Sequence, residues 1–276
     1  MGKVTLVLSG GGLRGLAHIG ALKAIHALGI PIHEYIGTSM GSLICALAAG
    51  GMALEEMERL ALALRSEDIF DLDLMYFVRK ALRATSLYKG EALHRYIERI
   101  IPIDSFKLLE KPLLVNSVEL SRGEEIFWGS EGLDEIPVHE AVYSSCALPG
   151  IFPPLKIGDS YYVDGGVLAN LPVQLAQGRN AALIIAVNLG LPVGSELRGR
   201  REPRSILDML LQSSGLMMRR ILQLQLREFY EYPLILIEPQ TAARSMFDFE
   251  EAAGSIRAGE RAALNVLRDH PLLGLI

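Results

Sequence analysis

Short apolar runs alternate with segments of helical period along most of this chain. Val4-Thr5-Leu6-Val7-Leu8 is continuously apolar apart from one threonine, as expected of a strand covered on both faces. Leu16 to Leu28 then reads as a helix, with Ile19 and Leu22 one turn apart and Gly29 and Pro31 stopping it. His33-Glu34-Tyr35-Ile36 reads as a second strand, and Ser42 to Ala49 as a small-residue helix ended by Gly50-Gly51. This strand–helix–strand–helix opening predicts an α/β fold around a largely parallel sheet with right-handed crossovers.

Further along, Met52 to Arg65 places Leu54, Met57, Leu60, Ala61 and Leu64 on one helical face, and Gly90 to Ile101 returns to helix. Leu113 to Val118 is a core strand that Ser121-Arg122-Gly123 turns into a partner, Glu125 to Trp128. Val138 to Ser145 predicts a short helix. Leu155-Lys156-Ile157 and Tyr161-Tyr162-Val163 flank a turn at Gly158-Asp159-Ser160, where Asp159 serves as a turn residue. Ala181 to Val187 and Leu234 to Ile237 complete the strands, and Asp248 to Leu267 closes the chain as an amphipathic helix. Two segments are less regular. Residues 66–89 carry much apolar surface without clean caps, as core or as a lid over a pocket. Ile206 to Phe229 is a long helix with two adjacent apolar stripes, Ile206-Met209-Leu210-Met217-Ile221-Leu224 and Leu207-Leu211-Met218-Leu222-Leu226. A stripe that wide predicts burial on two sides, with an acyl pocket or a bilayer contact as the alternative. Between them, Gly190 to Pro203 is a polar connector holding Arg198, Arg200 and Arg201.

Composition narrows the function classes. Half of the 276 residues are hydrophobic, enough for a sizeable core, and the net charge of −5 supplies no basic footprint for nucleic acid. The two cysteines, Cys45 and Cys146, lie in small or apolar surroundings without metal-ligand spacing, which suits free thiols in a reducing compartment. The opening apolar run is too short for a secretory signal, and no run reaches the roughly 18 apolar residues of a membrane span. A cytoplasmic location is the expectation.

The chemistry gathers at Ile36-Gly37-Thr38-Ser39-Met40-Gly41. This is a G-x-S-x-G elbow between a strand and a helix, in which Gly37 and Gly41 make room for a strained turn with Ser39 at its apex. The first strand ends in a second glycine-rich loop, Ser9-Gly10-Gly11-Gly12-Leu13-Arg14-Gly15. Gly10, Gly12 and Gly15 fit G-x-G-x-x-G, and Glu34 follows at about the 20-residue interval where a dinucleotide fold places its ribose carboxylate. The rival reading is an oxyanion hole built from backbone N–H groups. The elbow favours the latter, since acyl transfer needs both parts together and a dinucleotide fold has no use for the serine. Arg14 could add positive charge there, steer an anionic head group, or sit idly on the surface.

A serine nucleophile needs a base. None of the six histidines is framed by a loop after a late strand; His18 reads as a packing residue and His26, His94 and His139 fall in helical segments. The carboxylate of Asp164, which ends a strand before Gly165-Gly166, is the other candidate. Partial burial beside Tyr162 and Val163 would raise its pKa and improve it as a base.

Four separated stretches carry a resemblance: Gly10-Gly11-Gly12-Leu13-Arg14-Gly15 with Ala17-His18-Ile19-Gly20; Gly37-Thr38-Ser39-Met40-Gly41; Ser144 to Pro154; and Asp164-Gly165-Gly166 with Asn170 and Pro172. In this order they resemble the patatin-like phospholipases, over roughly residues 4–190, with a looser match beyond. The resemblance implies a single domain over 1–276, a three-layer α/β/α sandwich with a mostly parallel central sheet, and lipid acyl hydrolysis without metal or cofactor. It implies Ser39 as nucleophile, Asp164 as its sole partner, Gly10, Gly11 and Gly12 as oxyanion hole with Arg14 nearby, and Gly165 and Gly166 as support. Lipid or simple esters are the implied substrates and peripheral membrane contact the implied partner, with residues 66–89 and 204–230 as candidate lid or acyl-pocket elements. An acyltransferase with the same dyad, and an inert binding protein on the same fold, are the alternatives. Head group, acyl length and oligomeric state are left open.

Overall fold

The computed structural model describes residues 2–71, 85–130, 132–190, 202, 205–227, 232–243 and 245–276. Most of the connector at 190–203 and the middle of the lid candidate at 66–89 lie outside them, as does the end of the long helix beyond Arg227.

Among the described residues eight strands form one sheet: β1 (Val4–Leu8), β2 (Glu34–Thr38), β3 (Leu113–Glu119), β4 (Glu124–Trp128), β5 (Leu155–Ile157), β6 (Ser160–Asp164), β7 (Leu183–Val187) and β8 (Leu234–Ile237). Their order is β5-β6-β3-β2-β1-β7-β8, with β4 paired to β3. The central pairs β3-β2, β2-β1, β1-β7 and β7-β8 are parallel; β4, β5 and β6 add antiparallel pairings at one side. The helices are α1 (Ala17–Ala27), α2 (Met40–Ala49), α3 (Leu54–Ala63), α4 (Ser66–Ile69), α5 (Glu91–Ile100), α6 (Val138–Cys146), α7 (Val173–Gly178), α8 (Ile206–Arg227) and α9 (Ala252–Leu267).

Every residue of β1, β2, β3 and β7 is buried, which is why β1 and β7 read as nearly continuous apolar runs rather than as alternation. The pleat divides them between two cores. Val4, Leu6 and Leu8 face a large cluster with α1, α2, α6 and α9, while Val7, Ile36, Leu114, Ile184 and Ala186 face a smaller one with Val173, Ala176 and Leu222 of α7 and α8. Helices therefore cover both faces, and the protein is a three-layer α/β/α sandwich.

The topology brings distant residues together along β3. One edge of β3 pairs with β4 from Val115 to Glu119. The opposite edge is shared. β2 occupies it from Leu113 to Asn116, ending with Thr38 opposite Asn116. From Ser117 onward β6 takes it over, starting with Asp164 opposite Ser117. The ends of β2 and β6 thus meet tip to tip, and the chain must leave the sheet immediately after Thr38.

Several expectations are refined. The first helix is preceded by a 3-10 turn over Gly12–Leu16, and α9 starts at Ala252, after a turn rather than at Asp248. The described start of the 66–89 segment packs as core: Ile69 is buried, and the Phe70 ring meets Tyr88, Phe152, Phe247 and Phe249 at 4.5–6.0 Å. Two-sided burial of α8 does not hold. Leu222 is buried, but Ile206, Leu210 and Met217 are 84%, 60% and 59% exposed. One of its apolar stripes faces outward.

Glu34 begins β2, at the end of the strand away from Ser39. Fully buried, it is held by Arg179 Nη2 at 2.6 Å, Lys3 Nζ at 2.9 Å and the Thr5 hydroxyl at 3.2 Å. A carboxylate locked into ion pairs at the far end of the sheet from Gly10 to Gly15 cannot serve a ribose there, so the dinucleotide reading falls. Removing one partner leaves a buried charge less compensated. Arg179→Ala is expected to lower stability by about 1–3 kcal/mol, discounted because the arginine is one-third exposed, while leaving the opposite end of the sheet intact. Urea unfolding measures it, and a change below about 0.5 kcal/mol would contradict the assignment.

Candidate active site

Ser39 sits between β2 and α2 with φ 53° and ψ −128°, a backbone region that non-glycine residues rarely occupy and that costs on the order of 1–3 kcal/mol. The surroundings enforce it. A Cβ on Gly37 would fall 2.6 Å from the Gly41 carbonyl oxygen, and one on Gly41 2.6 Å from that of Ser9, so no larger residue fits at either flank. The Ser39 carbonyl accepts from the amides of Ser42 (2.9 Å) and Leu43 (3.3 Å) and from the Ser42 hydroxyl (2.7 Å). Its amide donates to Ser145 Oγ at 2.8 Å, and Ser145 in turn donates to the Asn116 carbonyl at 2.6 Å. The elbow is thereby tied to the end of β3.

Asp164 ends β6 and is 4% exposed. Its Oδ1 accepts the Gly166 amide at 2.8 Å, and the Ser39 hydroxyl lies near enough to the same carboxyl group to pull its pKa down. Both neighbours favour the carboxylate, but burial outweighs them and raises the pKa from 3.8 to about 6. Gly165 packs against Asn116, whose Nδ2 donates to the Ala169 carbonyl at 2.8 Å. This fixes the turn that follows Asp164. Cys146 adjoins the pair, its thiol pushed well up by burial and by Asp164, so it stays protonated.

The glycine loop lies over the same point. A Cβ on Gly10 would stand 3.0 Å from Ser39 Cβ. The three glycines are not equivalent. The Gly10 amide is engaged with the Asn170 carbonyl at 3.3 Å, and Asn170 Nδ2 returns a bond to the Gly10 carbonyl at 3.4 Å. The Gly11 and Gly12 amides meet no acceptor among the described residues. Gly12 has φ 60°, and a Cβ there would lie 2.9 Å from Met246 Cβ. Arg14 is half-buried and turns back to donate from Nε to the Gly11 carbonyl at 3.3 Å. Since a trans peptide points its C=O and N–H in opposite directions, that contact fixes where the Gly12 N–H points. Arg14 therefore braces the loop.

All six histidines lie among the described residues, and none hydrogen-bonds Ser39 or Asp164. His18 is fully buried with Nε2 2.8 Å from the Ser9 carbonyl, and burial lowers its pKa to about 4, so it donates as a neutral ring beneath the loop. The structure thus brings Ser39, Asp164, Gly10, Gly11, Gly12 and Arg14 into one place. Three supporting residues had no assigned role in the sequence reading: Ser145, Asn116 and Asn170. Ser145 and Asn170 stood within the matched stretches without a role, and Asn116 showed only as a carboxamide inside the apolar run Leu113 to Val118. Among the described residues no helix is long and apolar enough to cross a membrane.

The sequence pattern of the family described as patatin-like phospholipase matches residues 6–176. An uncharacterized Bacillus subtilis protein, YqhO, is 30% identical over 203 residues, 66% of this chain and 70% of that one. A lysophospholipase NTE1 from Debaryomyces hansenii is 32% identical over 197 residues, 68% of this chain but 12% of its own length. Human patatin-like phospholipase domain-containing protein 6 is 32% identical over 194 residues, again 68% of this chain and 13% of that protein. Several relatives thus extend far beyond the matched region. Among solved structures, VipD from Legionella pneumophila superposes with a TM-score of 0.55 at 15% identity, covering 98% of this chain and 67% of VipD, a likeness of fold. With the matched pattern spanning more than half of its length, and both ends of the β2–β6 junction inside that span, the chain belongs to the patatin-like phospholipase family.

Proposed function

We propose that this protein is a serine-dependent lipid acyl hydrolase, of phospholipase A or lysophospholipase type, cleaving carboxylic esters through an acyl-Ser39 intermediate with Asp164 as general base. The observation that carries this reading is that the β2 and β6 ends bring Ser39 beside Asp164, a buried carboxyl group whose pKa is raised to about 6. Asp164 takes the hydroxyl proton as Oγ attacks the ester carbonyl. The Gly11 and Gly12 amides receive the oxyanion, each donor worth roughly 10²–10³ in rate. The alcohol leaves with the proton from Asp164, and the same carboxylate then activates water to release the fatty acid. The exposed stripe of α8 supports a lipid substrate, and Met218, on the neighbouring stripe of the same helix, reaches to within 3.5 Å of a Cβ position on Gly166. Apolar surface so close to the carboxylate suits a substrate drawn from a lipid layer.

Ser39→Ala and Asp164→Asn are each expected to lower kcat/KM on p-nitrophenyl and lysophospholipid esters by roughly 10³-fold or more, with folding retained. Near-wild-type turnover in either variant would refute the dyad.

The raised pKa gives two linked expectations. The carboxylate must be ionised to act, so kcat/KM rises with pH through an apparent pKa near 6. Stability runs the other way. A folded pKa above the unfolded value favours folding while the group is protonated, and that contribution fades as pH rises from about 4 through 6. Between pH 4 and 8, Asp164→Asn should therefore gain roughly 2–3 kcal/mol relative to wild type. A flat difference in unfolding free energy, or an acid limb near pH 4, would contradict the buried carboxylate.

Arg14→Ala frees the Gly11–Gly12 peptide to rotate. It is expected to reduce kcat by about 10–100-fold with KM changed little, as for loss of transition-state contacts. A rise in KM at constant kcat would instead make Arg14 a head-group contact.

A further inference from the structure

A second cluster of chemistry-bearing side chains lies where α5 packs on α6. His94, from the second turn of α5, and His139 and Glu140, from the first turn of α6, bring one ligand-type atom each within 4.8 Å of one another. The His94 and His139 rings meet edge to face at 5.4 Å. We infer that these three residues bind a zinc-class divalent cation, tying α5 to α6.

The arrangement of lone pairs carries the inference. His139 Nδ1 lies 2.8 Å from both oxygens of Asp104, and the His139 amide donates to the same carboxylate at 3.0 Å. A carboxylate only accepts, so Nδ1 carries the proton, and in the neutral ring Nε2 presents a lone pair. That nitrogen faces Glu140 Oε1 at 3.9 Å, acceptor toward acceptor. Glu140 Oε2 is buried at the atomic level and accepts no well-formed hydrogen bond, although His94 Nε2 stands 3.2 Å away. Acceptors converging on a common point, with one nitrogen held from behind by a carboxylate, are the arrangement a cation satisfies.

The donor set selects the ion. Two imidazoles and one carboxylate suit zinc and its first-row neighbours rather than calcium or magnesium, which prefer all-oxygen shells. Tetrahedral zinc with bonds of about 2.0–2.1 Å holds its ligand atoms roughly 3.4 Å apart, so the cluster closes with side-chain shifts of about 1 Å. Partial exposure leaves a path in: the His94, His139 and Glu140 side chains are 29%, 13% and 30% exposed. His94 also borders a cleft of about 270 Å³ lined with Lys89, Gly90, Glu91, Arg95 and Tyr143, which leaves room for a water as fourth ligand. The cation would order α6, whose last turn carries Ser145 and Cys146 beside the elbow. The inference stands apart from the catalytic proposal.

Calorimetric titration of the full chain with zinc chloride tests it, alongside thermal unfolding with and without the metal. Wild type is expected to bind one zinc with a dissociation constant of micromolar or below, and to gain about 5 °C in melting temperature at a hundredfold excess over that constant. His94→Gln and Glu140→Gln should each weaken binding at least tenfold and abolish the thermal shift, and Asp104→Asn should weaken it by about 10–100-fold. Magnesium should give no shift. Should His94→Gln melt early without metal, Glu140→Gln decides. Absence of saturable binding, or unchanged affinity in Glu140→Gln, overturns the site.

Discussion

One edge of one strand governs the site. β3 can hydrogen-bond on two sides only, and β4 takes one of them. On the other, β2 stops at Asn116 and β6 begins at Ser117. Two strands that share an edge end to end must each turn away at the junction. The β2 turn is the Ser39 elbow, and the β6 turn is Asp164-Gly165-Gly166. Ser39 and Asp164 meet because the ladder positions leave them no other place, and Ser145 and Asn116 pin both turns to β3 itself.

The same crowding sets the electrostatics. The junction is walled by helices on both faces, so Asp164 loses its hydration, and this outweighs the Gly166 hydrogen bond and the pull of the Ser39 side chain. A carboxylate at its ordinary pKa would hold a serine proton weakly. One desolvated to about 6 is a better base and is still ionised at neutral pH. Ser39 carries a disfavoured backbone at the same junction, between the end of β2 and the start of α2. Burial of a titratable group and a disfavoured backbone both cost stability, and the fully buried strands of the sheet offset them.

Much of this was legible in the sequence because it rests on local patterns. Nearly continuous apolar runs mark β1 and β7, and the glycines around Ser39 mark a turn that admits no side chain. The tip-to-tip meeting of β2 and β6 was not legible, since register along a shared edge depends on pairings between distant segments. The inequality of the three loop glycines was hidden for a similar reason: Asn170, far along the chain, occupies the Gly10 amide. The long helix misled because a wide apolar stripe looks the same whether protein or lipid covers it. His94 and His139 lie too far apart in sequence to show ligand spacing, and only the packing of α5 on α6 joins them.

The central claim is that a buried carboxylate alone activates Ser39. Labelling by a fluorophosphonate, followed over pH with the modified peptide located by mass spectrometry, tests it most directly. The account predicts a single adduct on Ser39, formed at a rate that climbs through an apparent pKa near 6 and collapses in Asp164→Asn. Labelling of Asp164→Asn at the wild-type rate, or an adduct on any other residue, would contradict it.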